Sequence, residues 1–372
     1  MMRSRRCCYA TEADPLRLHG TTTTMLQHED AELDDRPDPT DAAERDRIGL
    51  GAMDVRSVAS LLGGAALTAA SGMGLAFYAD QVAREAERLV PPDGAFIEVP
   101  GARLHVVDTG APGDTRQAIV MVHGLGGQSR NFAYALVDRL APDHRLIVVD
   151  RPGSGYSRVV GAGVPGIVEQ GLIIAALIET LGLKRPLMVG HSFGGAVSLA
   201  LALERPELVR GLALLAPLTQ VVGHVPAVFK GLAALPVPVR HAMAQTIGTP
   251  LSRVAAPHML DAAFAPETAP ADFAIRGGGV LAQRPSNIAA AAADLGKANE
   301  ALAALALRYG QITVPVSILF GRDDRVLDPA LHGRRTADAI PGARFKLIDG
   351  GHMILVTAPE RTAKFIAKAA RR

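Results

Sequence analysis

The sequence predicts a doubly wound α/β domain: a mostly parallel eight-stranded sheet with helices on both faces, a helical insertion, and an apolar helix ahead of the core. Three observations carry that expectation. Short runs that are apolar throughout, such as Ala118–Val122, suit strands buried on both faces of a parallel sheet. Longer helical patterns alternate with these runs, as parallel βαβ winding requires. One stretch, Pro217 to Gly310, breaks the alternation with helical patterns, several prolines and no strand.

At 372 residues, 48% of them hydrophobic and 20% charged, the chain is long enough for one large core with additions. The formal charge of +2 gives no field that would hold a polyanion, so no nucleic-acid partner is expected. Both cysteines, Cys7 and Cys8, precede the part that reads as folded. That excludes a disulfide framework, a thiolate zinc site and a cysteine nucleophile from the domain, and neither metal nor cofactor is expected.

Residues 1–52 are polar and acidic, with Asp34, Asp35, Asp38 and Asp41 at their centre, and are expected to be disordered. Met53 offers a second translation start. Residues 53–92 form the next unit. Val58 to Ala79 contains no charged side chain, and about 20 apolar residues span a bilayer core. The preferred reading is a single-pass membrane anchor. A cleaved leader cut near Thr68-Ala69-Ala70, which would leave a secreted or periplasmic protein, and a buried Ala-rich helix compete with it. Residues 80–92, with Arg84, Glu85, Glu87 and Arg88, read as a polar linker ended by Pro91 and Pro92.

The core occupies residues 93–216 and 311–372. Expected strands are Phe96–Val99, Arg103–Asp108, Ala118–Val122, Leu146–Asp150, Leu187–Gly190, Leu212–Leu215, Val316–Phe320 and Phe345–Ile348. Pro100-Gly101 between the first two suits an antiparallel hairpin at the sheet edge. Helices are expected at Asn131–Leu140, Ile167–Leu181, Phe193–Glu204, Pro329–Ala339 and Ala358–Ala370. Residues 217–310 read as a helical cap over the site, because a structureless loop of that length inside a compact domain is improbable.

Chemistry concentrates at a few loops. Gly190-His191-Ser192-Phe193-Gly194 joins an apolar strand to an Ala/Leu-rich helix. A G-x-S-x-G in that setting is a nucleophile elbow, whose small residues permit the sharp turn that exposes the serine hydroxyl. A serine needs a base held by a carboxylate. Among eleven histidines, His352 alone follows the last strand at the carboxyl edge, where catalysis in open α/β sheets collects. His191, beside the nucleophile, reads as structural. The acid must follow another strand, and Gly321-Arg322-Asp323-Asp324 offers Asp323 and Asp324. After the strand ending at Leu215 there is no carboxylate. His123-Gly124-Leu125-Gly126-Gly127 follows the third strand, and the amides of Leu125 and Phe193 make the expected oxyanion hole. The rival reading of that loop, a phosphate cradle, lacks its lysine.

From about Phe96 onward the chain resembles the cap-bearing α/β-hydrolase superfamily of bacterial esterases, C–C bond hydrolases and cofactor-free perhydrolases. The resemblance rests on His123-Gly124, Asp150-Arg151-Pro152-Gly153-Ser154-Gly155-Tyr156-Ser157, Gly190–Gly194, Gly321–Val326 and Gly351-His352. It implies the α/β-hydrolase fold and, from the spacing after Gly321, Asp324 as the acid. Asp150 then supports the turn Gly153–Gly155. Dehalogenases and epoxide hydrolases of the superfamily carry aspartate where Ser192 stands, so neither activity is expected. The expected function is hydrolysis of small or medium, largely apolar carboxylic esters through an acyl-enzyme. Val221, Val225, Phe229, Leu232 and Leu235 in the cap favour an apolar acyl group. The alternatives are a C–C hydrolase of a vinylogous diketone, for which Arg240 or Arg276 would anchor an acid, and a non-catalytic receptor on the same fold.

Overall fold

Successive side chains of Ala118–Val122 enter opposite faces of a sheet: Ile119 and Met121 join one core cluster, Val120 and Val122 the other. That two-sided burial explains the unbroken apolar run. The computed structural model describes residues 55–372 apart from 112, 162, 164 and 224–235, with side chains described from Ala70 onward, Val237 excepted. The strands are β1 (Ala95–Val99), β2 (Ala102–Asp108), β3 (Ala118–Val122), β4 (Arg145–Val149), β5 (Arg158–Val159), β6 (Leu187–His191), β7 (Gly211–Leu215), β8 (Val316–Gly321) and β9 (Arg344–Ile348). The helices are α1 (Val55–Leu89), α2 (Arg130–Ala133), α3 (Val137–Leu140), α4 (Ile167–Thr180), α5 (Phe193–Glu204), α6 (Val237–Met243), α7 (Thr249–Phe264), α8 (Phe273–Arg276), α9 (Pro285–Ala306), α10 (Arg335–Ala339), α11 (Ile354–Thr357) and α12 (Pro359–Ala370).

The sheet runs β1-β2-β4-β3-β6-β7-β8-β9, with β5 beside β2. Pairs from β4 through β9 are parallel, whereas β2 is antiparallel to β1, β4 and β5. The expected hairpin is present, with Gly101 at φ +86° in its turn. Each of the eight expected strands forms; the ninth, β5, is only two residues long and carries no readable period. After β3 the chain moves outward to β4, and after β6 it moves the other way to β7. The strand order therefore reverses between β3 and β6, the kind of switch point at whose carboxyl edge ligands bind in open α/β sheets.

The helical insertion between β7 and β8 carries α6 to α9. Of the cap residues expected to favour an apolar acyl group, Val225, Phe229, Leu232 and Leu235 lie outside the described residues, and Val221 is 43% exposed. The expected disordered segment 1–52 lies outside them too.

The N-terminal helix departs from expectation. Residues 80–89 are helical, not a linker, because Ala79, Val82, Ala86 and Val90 recur at helical spacing and are buried. Leu281 packs against Ala86 and Val90, Glu87 pairs with Arg284 at 2.7 Å, and Tyr156 Oη donates to the Val90 carbonyl at 2.6 Å. Among the described residues no helix is long and apolar enough to cross a membrane.

Candidate active site

At the end of β6 the chain reverses into α5 within one residue. Ser192 takes φ 52°, ψ −119°, a region that costs an L-residue on the order of 1–3 kcal/mol and is held only by its surroundings. Those surroundings are close: a Cβ on Gly190 would lie 2.5 Å from the Gly194 carbonyl, and one on Gly194 2.0 Å from that of Val122. Both elbow glycines are required by this approach. Ser192 precedes α5, so the Phe193 N–H, first in the helix, has no preceding turn to bond and points its positive end at the site.

His352 sits between β9 and α11 and is buried. Its Nδ1 donates to Asp324 Oδ2 at 2.8 Å. The other carboxylate oxygen accepts the N–H groups of Val326 (2.8 Å) and Leu327 (2.9 Å). These bonds fix the carboxylate and leave Nε2 of the imidazole for a second partner. Asp323, by contrast, is exposed. No hydrogen bond joins Ser192 Oγ to the imidazole; such contacts are often long until substrate enters.

The loop after β3 lies against the elbow, with Gly124 so close that a Cβ would stand 3.0 Å from Ser192 Cβ. The Leu125 N–H takes no partner among the described residues. The insertion reaches two of these loops. The carbonyl of Gly277 accepts from Gln128 Nε2 (2.7 Å) and Asn131 Nδ2 (2.8 Å), and Glu267 accepts the Gly351 N–H at 3.0 Å.

Other histidines are built into the frame as neutral groups. His191 is pushed down to about 3 by burial and by His352 nearby, and its Nε2 donates to the His352 carbonyl at 3.2 Å. His332 falls to about 4 through burial and accepts the N–H groups of Thr219 and Gln220 on Nδ1. His123 falls to about 3 through burial and the charge of Arg151.

A second buried histidine–carboxylate pair, His105 Nδ1 with Asp150 Oδ2 at 2.9 Å, serves structure. His105 Nε2 accepts from the Gly94 N–H. Asp150 also accepts from the N–H groups of Ser129 and Tyr156, which ties it to the turn through Gly155. Burial alone would raise this carboxyl, yet the His105 bond and neighbouring donors hold it below its usual value.

Among the described residues no group of side chains is arranged to hold a metal ion. Arg276 is exposed and paired with Asp272 at 2.9 Å, which leaves it poorly suited to anchoring a substrate acid.

The sheet order, the elbow and the helical insertion define an α/β hydrolase. The chain belongs to the alpha/beta hydrolase fold family, whose profile matches residues 117–359. It is 32% identical over 259 residues to the magnesium-chelatase 30 kDa subunit of Rhodobacter capsulatus, covering 67% of this chain and 84% of that one. The 2-hydroxy-6-oxononadienedioate/2-hydroxy-6-oxononatrienedioate hydrolase of Cupriavidus pinatubonensis is 28% identical over 259 residues, with coverage of 66% and 83%. The enol-lactonase from Burkholderia xenovorans LB400 shares the fold with a TM-score of 0.61 at 23% identity, over 75% of this chain and 100% of that one. The protein is a hydrolytic enzyme of this family.

Proposed function

We propose that the enzyme hydrolyses carboxylic esters of small or medium, largely apolar acyl groups, with Ser192 as nucleophile, His352 as general base and Asp324 as the carboxylate that orients it. The observation that carries this reading is the 2.8 Å bond between His352 Nδ1 and Asp324 Oδ2, on loops at the same sheet edge as the elbow. Ser192 Oγ attacks the acyl carbon while His352 Nε2 takes its proton. The carbonyl π pair moves to oxygen, and the amides of Leu125 and Phe193 stabilise the oxyanion. Collapse expels the alcohol, which takes the proton back from His352, and water then repeats the sequence on the acyl-enzyme.

A panel of p-nitrophenyl esters of graded chain length, plus one vinylogous diketone, tests the substrate class on the purified protein. Ester turnover with an optimum at short or medium chain supports the reading. Turnover of the diketone alone would replace it with C–C hydrolysis.

We further infer that residues 58–79 attach the enzyme to a membrane. The absence of charge from Val58 to Ala79 supports it, as does the exposure of Met73 (68%) and Phe77 (64%). Recovery of the uncleaved protein in a carbonate-soluble fraction would remove this inference.

A further inference from the structure

The side chain of Arg151 is fully buried directly behind the loop after β3. Its Nε donates to the His123 carbonyl at 3.0 Å, one terminal nitrogen to the Gly124 carbonyl at 3.1 Å, and the other to Gln170 Oε1 and Asp294 Oδ2, both at 2.8 Å. The guanidinium carbon lies 4.6 Å from the ring centroid of Phe193. One cation thus touches the loop that carries Leu125, the residue after the nucleophile, and α9 of the insertion.

The Gly124 carbonyl belongs to the same peptide unit as the Leu125 N–H. In a planar trans peptide the C=O and N–H bonds point in opposite directions, so whatever fixes the carbonyl aims the N–H. Three donors fix it: Arg151, His123 Nδ1 at 2.8 Å and the Gly127 N–H at 3.2 Å. The Arg151 N–H donates to His123 Nε2 at 2.8 Å, which leaves the proton on Nδ1 and directs it at Gly124. Donation to a carbonyl also polarises its peptide and makes the opposite N–H a stronger donor.

We propose that Arg151 is a positioning residue for the oxyanion hole, aiming the Leu125 N–H, and that Asp294 on α9 makes this alignment depend on the seating of the insertion. This rests on the reading of Ser192 as nucleophile and Leu125 as oxyanion donor. Arginine is required because its fork reaches two carbonyls and a carboxylate together, which a lysine ammonium on its flexible stem does not. Asp294, buried on α9, shares Gln170 with Arg151 through a 2.8 Å bond from Gln170 Nε2, so the arginine has one available orientation.

The test uses Arg151→Lys, Asp294→Asn and the paired Arg151→Met/Asp294→Leu. The last removes both charges of a buried pair, which is often tolerated in folding where loss of one is not. Each protein is titrated with a fluorophosphonate to count active Ser192, and rates are expressed per titrated site. Affinity for an aliphatic trifluoromethyl ketone is measured alongside. Its carbonyl carbon takes Ser192 Oγ, the serine proton passes to His352, and the resulting oxyanion reads the hole directly.

Losing one oxyanion donor outright costs about 10²–10³ in kcat. We expect Arg151→Lys and the paired variant to lose roughly 10- to 100-fold in kcat and a similar factor in ketone affinity, because the donor is misaimed but present. KM and the acid limb of the pH–rate profile should stay put, which distinguishes loss of aim from general loosening. Asp294→Asn should move the same two quantities less, since Gln170 still holds the guanidinium. Unchanged kcat per site and ketone affinity in Arg151→Lys and the paired variant would overturn the proposal. Failure of wild-type Ser192 to take up fluorophosphonate would instead overturn the reading beneath it.

Discussion

Asp324 holds His352 with one oxygen and is itself held by the other, which accepts the backbone N–H groups of Val326 and Leu327. The carboxylate therefore has no rotamer to spare, and the imidazole inherits that rigidity. Its neighbour Asp323 is exposed.

Asp324→Asn should consequently lower kcat with little change in KM. The amide neither selects the same imidazole tautomer nor stabilises the imidazolium of the transition state, and a comparable change in another serine hydrolase costs about 10⁴-fold. Asp323→Asn should remain within about twofold of wild type, since nothing it touches is reorganised. Steady-state kinetics on the two variants decide the assignment, and a reversed pattern would move the acid to Asp323.

Acid should weaken the fold in a window set by the buried neutral histidines. His123 and His191 are held down to about 3 and His332 to about 4, whereas an unfolded histidine titrates near 6.5. Between those values the unfolded chain binds protons that the folded chain refuses. The stability from keeping them neutral is complete above about pH 6.5 and drains away as pH falls towards 3–4, by up to about 1.4 kcal/mol per pH unit for each histidine. His332→Asn retains an acceptor for the Thr219 and Gln220 N–H groups without the titration. Its unfolding free energy should fall less steeply between pH 6 and 4, by roughly one proton's worth of slope; an unchanged slope would exclude His332 as a contributor.

How much of this was legible in sequence depends on how local each feature is. The eight principal strands could be read because burial on both faces writes itself as an apolar run, and Ser192 because strand, turn and helix are contiguous. Family spacing is what separates Asp324 from Asp323 in the sequence; the bonds Asp324 makes to His352, Val326 and Leu327 are invisible there. Arg151 stood in view beside Asp150, but its partners Gln170 and Asp294 are distant in sequence, and no local pattern marks such a cluster. The same holds for His105 with Asp150. In α1 the charges of residues 80–89 hid a sparse apolar stripe that only the packing of Leu281 reveals.

That stripe has a measurable weight. A chain beginning at Pro91 loses the burial of Val82 and Val90 along with that of Ala79 and Ala86, and full burial of a valine contributes about 1.5 kcal/mol or more. It should therefore unfold several degrees below the full-length protein, about 2 °C per kcal/mol at this domain size. Because the described side chains of α1, from Ala70 onward, make no hydrogen bond or ion pair to the catalytic loops, the rate of Ser192 labelling should be unchanged. Equal melting temperatures would show that the helix is docked without contributing stability.

Ser192 should be the one serine that reacts with a fluorophosphonate. Its hydroxyl stands at a strained elbow with the Phe193 N–H behind it and a Leu125 N–H that takes no partner among the described residues, so an attacked phosphonyl oxygen meets donors already in place. Ser198, by contrast, is buried in α5 and donates to the Gly194 carbonyl at 2.8 Å, which leaves its hydroxyl neither exposed nor activated. Intact-mass and peptide spectra should show a single adduct on the Ser192 peptide. Ser192→Ala should abolish it, and His352→Ala should nearly do so. The double variant should be little worse than either single one, since members of such a site act as a unit. An adduct that survives Ser192→Ala would move the nucleophile elsewhere. The absence of any adduct on folded wild-type protein would leave the fold with the elbow of a hydrolase and no serine chemistry at it.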